Sequence, residues 1–209
     1  MTNPSYPLSL PSTPNFSQST FEMVRKTGYT ESPFTGKQQV HEYPYALWRA
    51  TLTLPPIKRT DWNNWAVFVL QMRGRRGTFL LGDPDYTFSG TATASSGNSI
   101  QTFSPRTAGQ TTLPVDGMTS GGTVNKGDYV QVGDDGSNHL YLVTNNNTVS
   151  SSGTVLLQIE PALRVDVATN TNVKFAGAKG VFRMDSDAYG WEANHVSTYG
   201  FTFSCTQAF

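Results

Sequence analysis

The sequence has little charge and only one cysteine. Lys plus Arg number 15 and Asp plus Glu number 15, so the formal net charge is zero, and charged residues make up 14% of the 209 residues. Such a chain lacks the overall positive field that holds nucleic acid or an anionic membrane by electrostatics alone. The single cysteine, Cys205, excludes an intramolecular disulfide and a zinc cluster of cysteines. We expect it to be a small buried hydrophobe.

Long apolar segments are also missing. No run of about 18 apolar residues occurs, so no transmembrane helix and no membrane partner are expected. The first sixteen residues lack the basic region and apolar stretch of a signal peptide. We therefore expect a protein that is made and folded in a cytosol. Its 12% aromatic content is enough to build a buried core.

Motifs that carry chemistry are absent from the sequence. It contains no Gly-x-Ser-x-Gly elbow, no phosphate-binding loop and no GxGxxG fingerprint. His41, His139 and His195 lie in or beside predicted strands and do not have the spacing of metal ligands. Asp134 and Asp135 occupy a glycine-rich turn, but that turn lacks the alternating oxygens and distant Glu of a calcium loop.

Three carboxylates near the C-terminal end, Asp185, Asp187 and Glu192, leave one catalytic possibility. A glycosidase uses two carboxylates that are close in space and need not be close in sequence. Nothing in the chain singles these residues out as such a pair. We therefore predict that the protein is not an enzyme, with no catalytic residues, no metal and no cofactor.

Residues 20–85 combine strand patterns with one helix. Strands are predicted at 21–24 and 37–42, with a turn over 28–36 between them. Residues 48–54 alternate large apolar with polar or small side chains, which places the even-numbered residues on one face of a strand.

The helix is predicted at about residues 60–73. Thr60 suits the N-cap, and Asp61 would lie in the first turn, where its charge favours the helix dipole. Gly74 suits the position just after the helix. An apolar stripe that would pack on the core is formed by Trp62, Trp65, Val69 and Met72.

After Pro84 the composition changes to Ser, Thr, Gly and Asn, and short strands recur between turns. This pattern is typical of a small antiparallel barrel or sandwich. Aromatic-rich alternation returns in the tail, so we predict that residues 86–177 are an inserted β domain. Residues 20–85 and 178–209 would then form one discontinuous β-sandwich. The predicted fold class is mainly β, a β-sandwich with one embedded α-helix plus an inserted small antiparallel β-barrel or sandwich.

Residues 1–19 carry four prolines among Ser and Thr residues. Proline fixes φ and removes a hydrogen-bond donor, so we expect an extended arm rather than a strand within a sheet. The arm would either be poorly ordered or lie along a partner. Our hypothesis is that it crosses a neighbouring subunit and covers an exposed strand edge.

Basic residues cluster at both ends of the predicted helix, with Lys58 and Arg59 before it and Arg73, Arg75 and Arg76 after it. Arginines at a helix C-terminus neutralise its dipole, and they also suit carboxylates across an interface. We take these five as candidate interface residues. The turn alone would neutralise too few phosphates to hold nucleic acid tightly, although copies in a ring would converge on one axis.

Aromatic residues fall mostly on predicted core positions. Trp62 and Trp65 share one helix stripe, which suits a core better than a sugar-binding surface. Tyr86 and Phe88 lie on the linker after Pro84. They are the candidate exposed aromatics.

Four sets of segments carry a family resemblance. In chain order they are SPFTGKQQVHEYPYALWRATLTLPP, LQMRGRRGTFLLGDPD, KGDYVQVG with HLYLVT, and KGVFRM with YGFTFS. Together they resemble a widespread set of tailed-bacteriophage structural proteins, often described as distal-tail or minor tail proteins. The resemblance runs from Leu8 to the C-terminus, and its motifs are structural rather than catalytic.

The resemblance implies a distal-tail-like subunit whose ring, commonly hexameric, joins the tail tube to the hub or receptor-binding apparatus. The partners would be copies of the chain, as a hexamer or trimer, together with tail tube, hub and receptor-binding proteins. DNA would pass through the ring without specific nucleic-acid recognition. The protein would be found in the virion tail after synthesis in the host cytoplasm. Residues 87–126 look longer or looser than a compact barrel needs, which departs from the family pattern.

Two alternatives stay open. The inserted domain would be a carbohydrate- or receptor-binding module if a shallow aromatic surface on it bound sugars of the host envelope. Tube terminators and head-tail adaptors also form rings, and the sequence does not separate them from a distal-tail protein.

Overall fold

The structure, a computed structural model, describes residues 4–193 and 198–208. Within these residues the chain forms seventeen strands and one α-helix. It is mainly β, with several sheets, one of them nearly closed into a barrel, so the predicted fold class is confirmed. His195 lies outside the described residues.

The elements follow one another in three groups. The first group is β1 (Leu8–Ser9), β2 (Gln18–Glu31), β3 (Gln38–Thr53), β4 (Ile57–Lys58), α1 (Arg59–Met72) and β5 (Phe79–Leu81). The second is β6 (Gln101–Thr102), β7 (Thr112–Asp116), β8 (Thr123–Val124), β9 (Tyr129–Val132), β10 (His139–Val143), β11 (Asn147–Thr148), β12 (Val155–Glu160) and β13 (Val173–Lys174). The third is β14 (Gly180–Met184), β15 (Glu192–Ala193), β16 (Thr198–Gly200) and β17 (Thr202–Gln207).

The first sheet contains six strands in the order β1-β5-β14-β17-β3-β2. The β1–β5 pair is parallel and the other pairs are antiparallel. Strands β14 and β17, from the last part of the chain, lie between β5 and β3. The predicted alternation on β3 is confirmed by the buried residues Trp48, Ala50, Leu52 and Leu54.

Helix α1 covers the inner face of this sheet. The predicted apolar stripe is confirmed, and Phe68 adds to it; the buried helix residues are Trp62, Trp65, Phe68, Val69 and Met72. A small sheet in the order β15-β16-β4 continues the covering layer. The Tyr199 ring of β16 stacks on Trp62 with a centroid distance of 5.8 Å. The six-stranded sheet and this second layer form the sandwich.

The start of the helix differs from the prediction. Thr60 is not the N-cap, because the helix begins at Arg59 and the N-cap is Lys58, which has extended dihedrals and no side-chain capping bond. Lys58 pairs with Thr198 in the small sheet. The strand therefore leads directly into the helix and leaves no residue free to cap it. Asp61 lies in the first turn, as predicted.

The end of the helix falls one residue before the predicted position. Arg73, rather than Gly74, is the first residue in the left-handed region, with φ 51°. Gly74 follows with φ 66°, and a Cβ atom there would lie 2.6 Å from Oδ1 of Asp187. Glycine is required at this position both for its dihedral angle and for the close approach of that carboxylate.

The N-terminal arm contains a strand, contrary to the prediction. Leu8 and Ser9 pair in parallel with Phe79 and Leu80 of β5. Without this pairing β5 would be the edge of the sheet, with its outer backbone groups unpaired. Prolines flank the two-residue pairing and do not interrupt it, so the composition of the arm is compatible with a short edge strand.

The arm also packs along α1 of its own subunit. The Tyr6 hydroxyl donates to the carbonyl of Gln71 at 2.6 Å, and Nε1 of Trp65 donates to the carbonyl of Thr13 at 3.1 Å. The Phe16 ring meets the Trp65 ring edge to face, with a centroid distance of 5.6 Å. These contacts make the arm part of the sandwich core.

The second large sheet runs in the order β13-β9-β10-β12-β7-β6. Its two edges approach each other, because Gln101 of β6 forms a bridge with Asn172 and the amide of Val173 donates to the carbonyl of Ile100 at 3.0 Å. The sheet is therefore a nearly closed barrel. A second core fills it, including Leu113, Val115, Val130, Tyr141, Val143, Leu157 and Phe175.

Tyr86 and Phe88 are half-buried, so the prediction that they are exposed is wrong. The linker runs against the barrel, and the Tyr86 ring packs edge to face on Tyr129 at 5.1 Å. The Phe88 ring stacks on Phe175 at 5.4 Å. Burial is also the main reason that the pKa of the Tyr86 hydroxyl is raised.

Barrel and sandwich meet at a small set of specific contacts. Nε1 of Trp48 donates to the carbonyl of Leu140 at 2.9 Å, and the Trp48 ring packs on Tyr129 at 5.5 Å. Where the chain returns to the sandwich, the amide of Lys179 donates to Oε1 of Gln131 at 3.0 Å. A buried tryptophan that hydrogen-bonds across this junction fixes the two units against each other.

We expect Phe16→Ala to lower the free energy of unfolding by about 2 kcal/mol, because a half-buried ring loses part of the ~3–5 kcal/mol that a buried phenylalanine contributes. The change removes the contact between the arm and Trp65. Urea denaturation followed by tryptophan fluorescence measures it.

The neighbouring Asn15 is exposed and provides the control, since Asn15→Ala should stay within about 0.5 kcal/mol of the parent. Equal stability of the two variants would contradict the packing of the arm on its own core.

Candidate assembly interface

A long hairpin extends beyond the first sheet. Strand β17 pairs with β3 only from Arg49 to Thr53, whereas the β2–β3 pairing continues to Glu31 and Gln38. Among the described strands, the outer part of β3 therefore pairs with β2 alone. We call residues 26–45 the projecting hairpin.

The hairpin strands are longer than predicted. The sequence placed them at 21–24 and 37–42 with a turn over 28–36, but only residues 32–37 separate β2 from β3. Gly28, taken as a turn residue, lies inside β2. An added Cβ there would be 3.4 Å from the Tyr43 ring, so the aromatic side chain covers the glycine and supports the strand.

The base of the hairpin is bent by an irregular pairing. The register shifts between Arg25 and Thr27 of β2, opposite residues 43–45 of β3. Pro44 lies in this stretch and has no N–H to donate, so a regular ladder cannot pass through it. The Lys26 ammonium sits 4.7 Å from the centroid of the Tyr45 ring. The irregularity changes the direction of the ribbon where it leaves the sheet.

The projecting hairpin exposes large apolar side chains. Phe34 in the turn is 95% exposed, and Tyr29 and Val40, which face each other across the strands, are 57% and 63% exposed. Tyr43 is 50% exposed. A two-stranded ribbon alone is marginally stable in water, and its edges carry unpaired backbone groups. Its apolar side chains and free edges are features of a segment that a partner covers.

The base of the hairpin is tied to the barrel. The Arg25 guanidinium contacts Glu42 at 3.1 Å and Glu160 of β12 at 2.5 Å. Hydrogen bonding to Glu160 is the main reason that the pKa of Arg25 is raised. Nη1 of Arg164 donates to the carbonyl of Pro44 at 3.0 Å. Each exposed ion pair contributes only about 0–1 kcal/mol, so these contacts fix direction more than stability.

The five basic candidates occupy two exposed places. Lys58 and Arg59 lie at the start of α1, and Nη1 of Arg59 donates to the Tyr199 hydroxyl at 3.3 Å. Arg73 and Arg76 lie in the exposed turn after the helix.

Arg75 lies in the same turn and forms hydrogen bonds with residues of its own subunit. Its amide donates to Oδ1 of Asp187 at 2.8 Å, and its guanidinium donates to the carbonyl of Asp185. Asp185 also accepts a hydrogen bond from the Thr206 hydroxyl at 2.6 Å. Asp185 and Asp187 thus make structural contacts around the turn.

The other candidate polar residues are spread over the molecule. His41 is on the hairpin, with its ring 4.9 Å from Tyr43. His139 is on β10, where burial and then the charge of Arg164 lower its pKa. In the part of the chain that the structure describes, no three His, Cys, Asp or Glu side chains form a group that could hold a metal ion. No helix in that part is long and apolar enough to cross a membrane.

The sequence did not identify the hairpin as the main exposed apolar surface. One signal was present, since Phe34 lies in a turn-forming segment, Ser-Pro-Phe-Thr-Gly, where a core position is unusual. The alternation around Val40 fits a strand, but it does not reveal that no third strand in the described part of the chain pairs with the hairpin.

No protein-family model matches the sequence, and no curated protein matches it.

We expect Cys205 to be unreactive in the native protein. It is fully buried, its thiol donates to the carbonyl of Ala50 at 3.6 Å, and burial raises its pKa. Since the thiolate is the nucleophile, iodoacetamide at pH 8 should modify the folded chain at least about 100-fold more slowly than the unfolded chain.

Mass spectrometry with and without denaturant measures both rates at this single cysteine. Because the pKa is raised, increasing the pH to 9 should leave the native rate low. A fast native reaction would contradict the burial of β17.

Proposed function

We propose that the chain is a structural subunit of a bacteriophage tail, assembled as a distal-tail-like ring that joins the tail tube to the hub or receptor-binding apparatus. The observation that carries the proposal is the projecting hairpin, with its exposed Phe34, Tyr29 and Val40. The sequence resemblance described above supplies the class of assembly. The mainly β fold with one helix agrees with the fold that the resemblance implies.

The hairpin suits association between copies of the chain. A ribbon with free edges can add to the sheet of a neighbour through main-chain hydrogen bonds, while its apolar side chains fill surface pockets. Contacts of this head-to-tail kind are heterologous. They form a closed ring when the rotation that relates one copy to the next is a whole-number fraction of a full turn. A hexamer or trimer would satisfy this condition.

The N-terminal arm has a different role from the one expected. It covers the β5 edge of its own sheet. The opposite edge is the fourteen-residue β2, and within residues 4–193 and 198–208 no strand other than β3 pairs with it. We therefore assign contact with the neighbour to the hairpin and the β2 edge. The arm would stabilise the subunit before assembly.

The proposal is tested by the mass of the protein in solution, by light scattering or native mass spectrometry. We expect a discrete hexamer or trimer, formed by the chain alone or with tail tube and hub proteins. Phe34→Ser should weaken this assembly, because truncating a central aromatic contact costs about 2 kcal/mol or more, roughly 30-fold in the dissociation constant. Its melting temperature should stay unchanged, since Phe34 is almost fully exposed in the subunit.

Phe103→Ser is the matched control. Phe103 is also an exposed phenylalanine, but it follows β6 in the barrel. It should leave the assembly intact. A chain that stays monomeric both alone and with tube and hub proteins would contradict the proposal, and so would equal assembly of the two variants.

A second candidate function is a carbohydrate- or receptor-binding module on the barrel. The observation in its favour is an open polar cleft of about 520 Å³. Its lining includes Asn98, Gln101, Asp116, Ser152 and Thr154. Binding of the full-length chain to host envelope, lost in Asp116→Asn, would favour this function; envelope binding that survives the change would place the contact elsewhere.

A further inference from the structure

Arginine side chains converge on the outer face of the six-stranded sheet, opposite the helix. Strand register places Arg183 of β14 beside Thr206 of β17, and Thr206 beside Arg49 of β3. These three residues form one row across the sheet. Arg75, from the turn after α1, joins them at an open groove of about 460 Å³ that also includes Asp185.

The charges in the groove are unbalanced. Three guanidinium groups line it against one carboxylate, Asp185, whose side chain is only 28% exposed. Nε of Arg49 lies 3.4 Å from Oδ2 of Asp185, and its Nη1 lies 3.9 Å from Glu22 at the far end of the row. Arg75 donates to a backbone carbonyl. Among the described residues Arg183 has no ion pair, and its side chain is exposed.

The lining of the groove favours one kind of anion. Hydroxyl groups lie beside the arginines, at Thr206 and, in the next row, at Ser204 and Thr51, whose oxygens are 3.1 Å apart. Arg, Ser and Thr are among the side chains that contact phosphate oxygens in nucleic-acid complexes. A protein partner would need an apolar contact centre, and no exposed large apolar side chain lines the groove within residues 4–193 and 198–208.

We propose that this groove binds the phosphate groups of a nucleic-acid backbone without reading sequence. Guanidinium forks match phosphate geometry, and the open groove leaves room for a backbone to lie across it. Among the described lining residues there is no aromatic ring on which a base could stack. One subunit neutralises about two to three phosphates, so its salt slope should be about −2 to −3. The inference goes beyond the proposed function and does not depend on a ring.

The test is fluorescence anisotropy of labelled duplex DNA with the full-length protein. We expect binding at low salt that weakens about 10- to 40-fold between about 50 and 200 mM salt, as two to three released counterions require. Two unrelated duplex sequences should bind equally. Light scattering on the same samples gives the oligomeric state, so failure to bind DNA is distinguished from failure to assemble.

Arg183→Gln is the informative variant, because Arg183 is exposed and its side chain makes no ion pair or hydrogen bond with the described residues. It should weaken binding to every sequence alike and reduce the salt slope by about one. Lys126→Gln makes the same charge change at an exposed position on the barrel. That control should bind like the parent.

Three outcomes would overturn the proposal. They are an absence of DNA binding at low salt, equal binding by Arg183→Gln and the parent, and competition by a poly-glutamate peptide as strong, charge for charge, as competition by unlabelled DNA. The last result would assign the groove to an acidic protein segment.

Discussion

The packing around one ring, that of Phe203, holds the sandwich together. Phe203 is buried in β17, and its centroid lies 6.2 Å from Phe16 of the arm, 6.2 Å from Trp65 of the helix and 6.1 Å from Phe79 of β5. Four elements, drawn from the first 81 residues and from the last strand, therefore meet at one aromatic side chain. Edge-to-face and tilted contacts of this kind add stability beyond the area that they bury. The placement of the six-stranded sheet against the helix and the arm follows from this packing.

The two exposed surfaces of the sandwich differ in chemistry. The projecting hairpin offers apolar side chains and free strand edges, which suit a protein partner. The outer sheet face offers guanidinium and hydroxyl groups around Arg49 and Arg183, which suit an anion. The net charge of zero does not show this local excess of arginine, because acidic residues elsewhere in the chain balance it. The local distribution of charge is more informative than its sum.

Local patterns predicted the parts of the fold that depend on one element. The period-2 alternation of β3 and the helix stripe around Trp65 were correct because burial of one face is encoded within each segment. Local patterns did not predict the length of the hairpin, because it depends on the Tyr43 ring covering Gly28 on the other strand. They did not predict the strand in the arm either, because that strand forms only where β5 offers an unpaired edge. The row of Arg183 and Arg49 could be found only after β14 and β17 were placed beside β3. Alternation with Phe182 and Met184 shows that Arg183 faces outward, but it does not show what lies next to it.

The position of β17 within the sheet sets an order of events during synthesis. Every strand of the barrel is complete by residue 174, whereas β3 and β14 gain their shared neighbour only when residues 202–207 have been made. Because domains generally fold as units while the chain emerges, the barrel can fold on the ribosome while the sandwich is still open. A nascent chain that carries a finished barrel therefore still lacks the sheet from which the hairpin projects, and the proposed contact surface is completed only at the last step of folding.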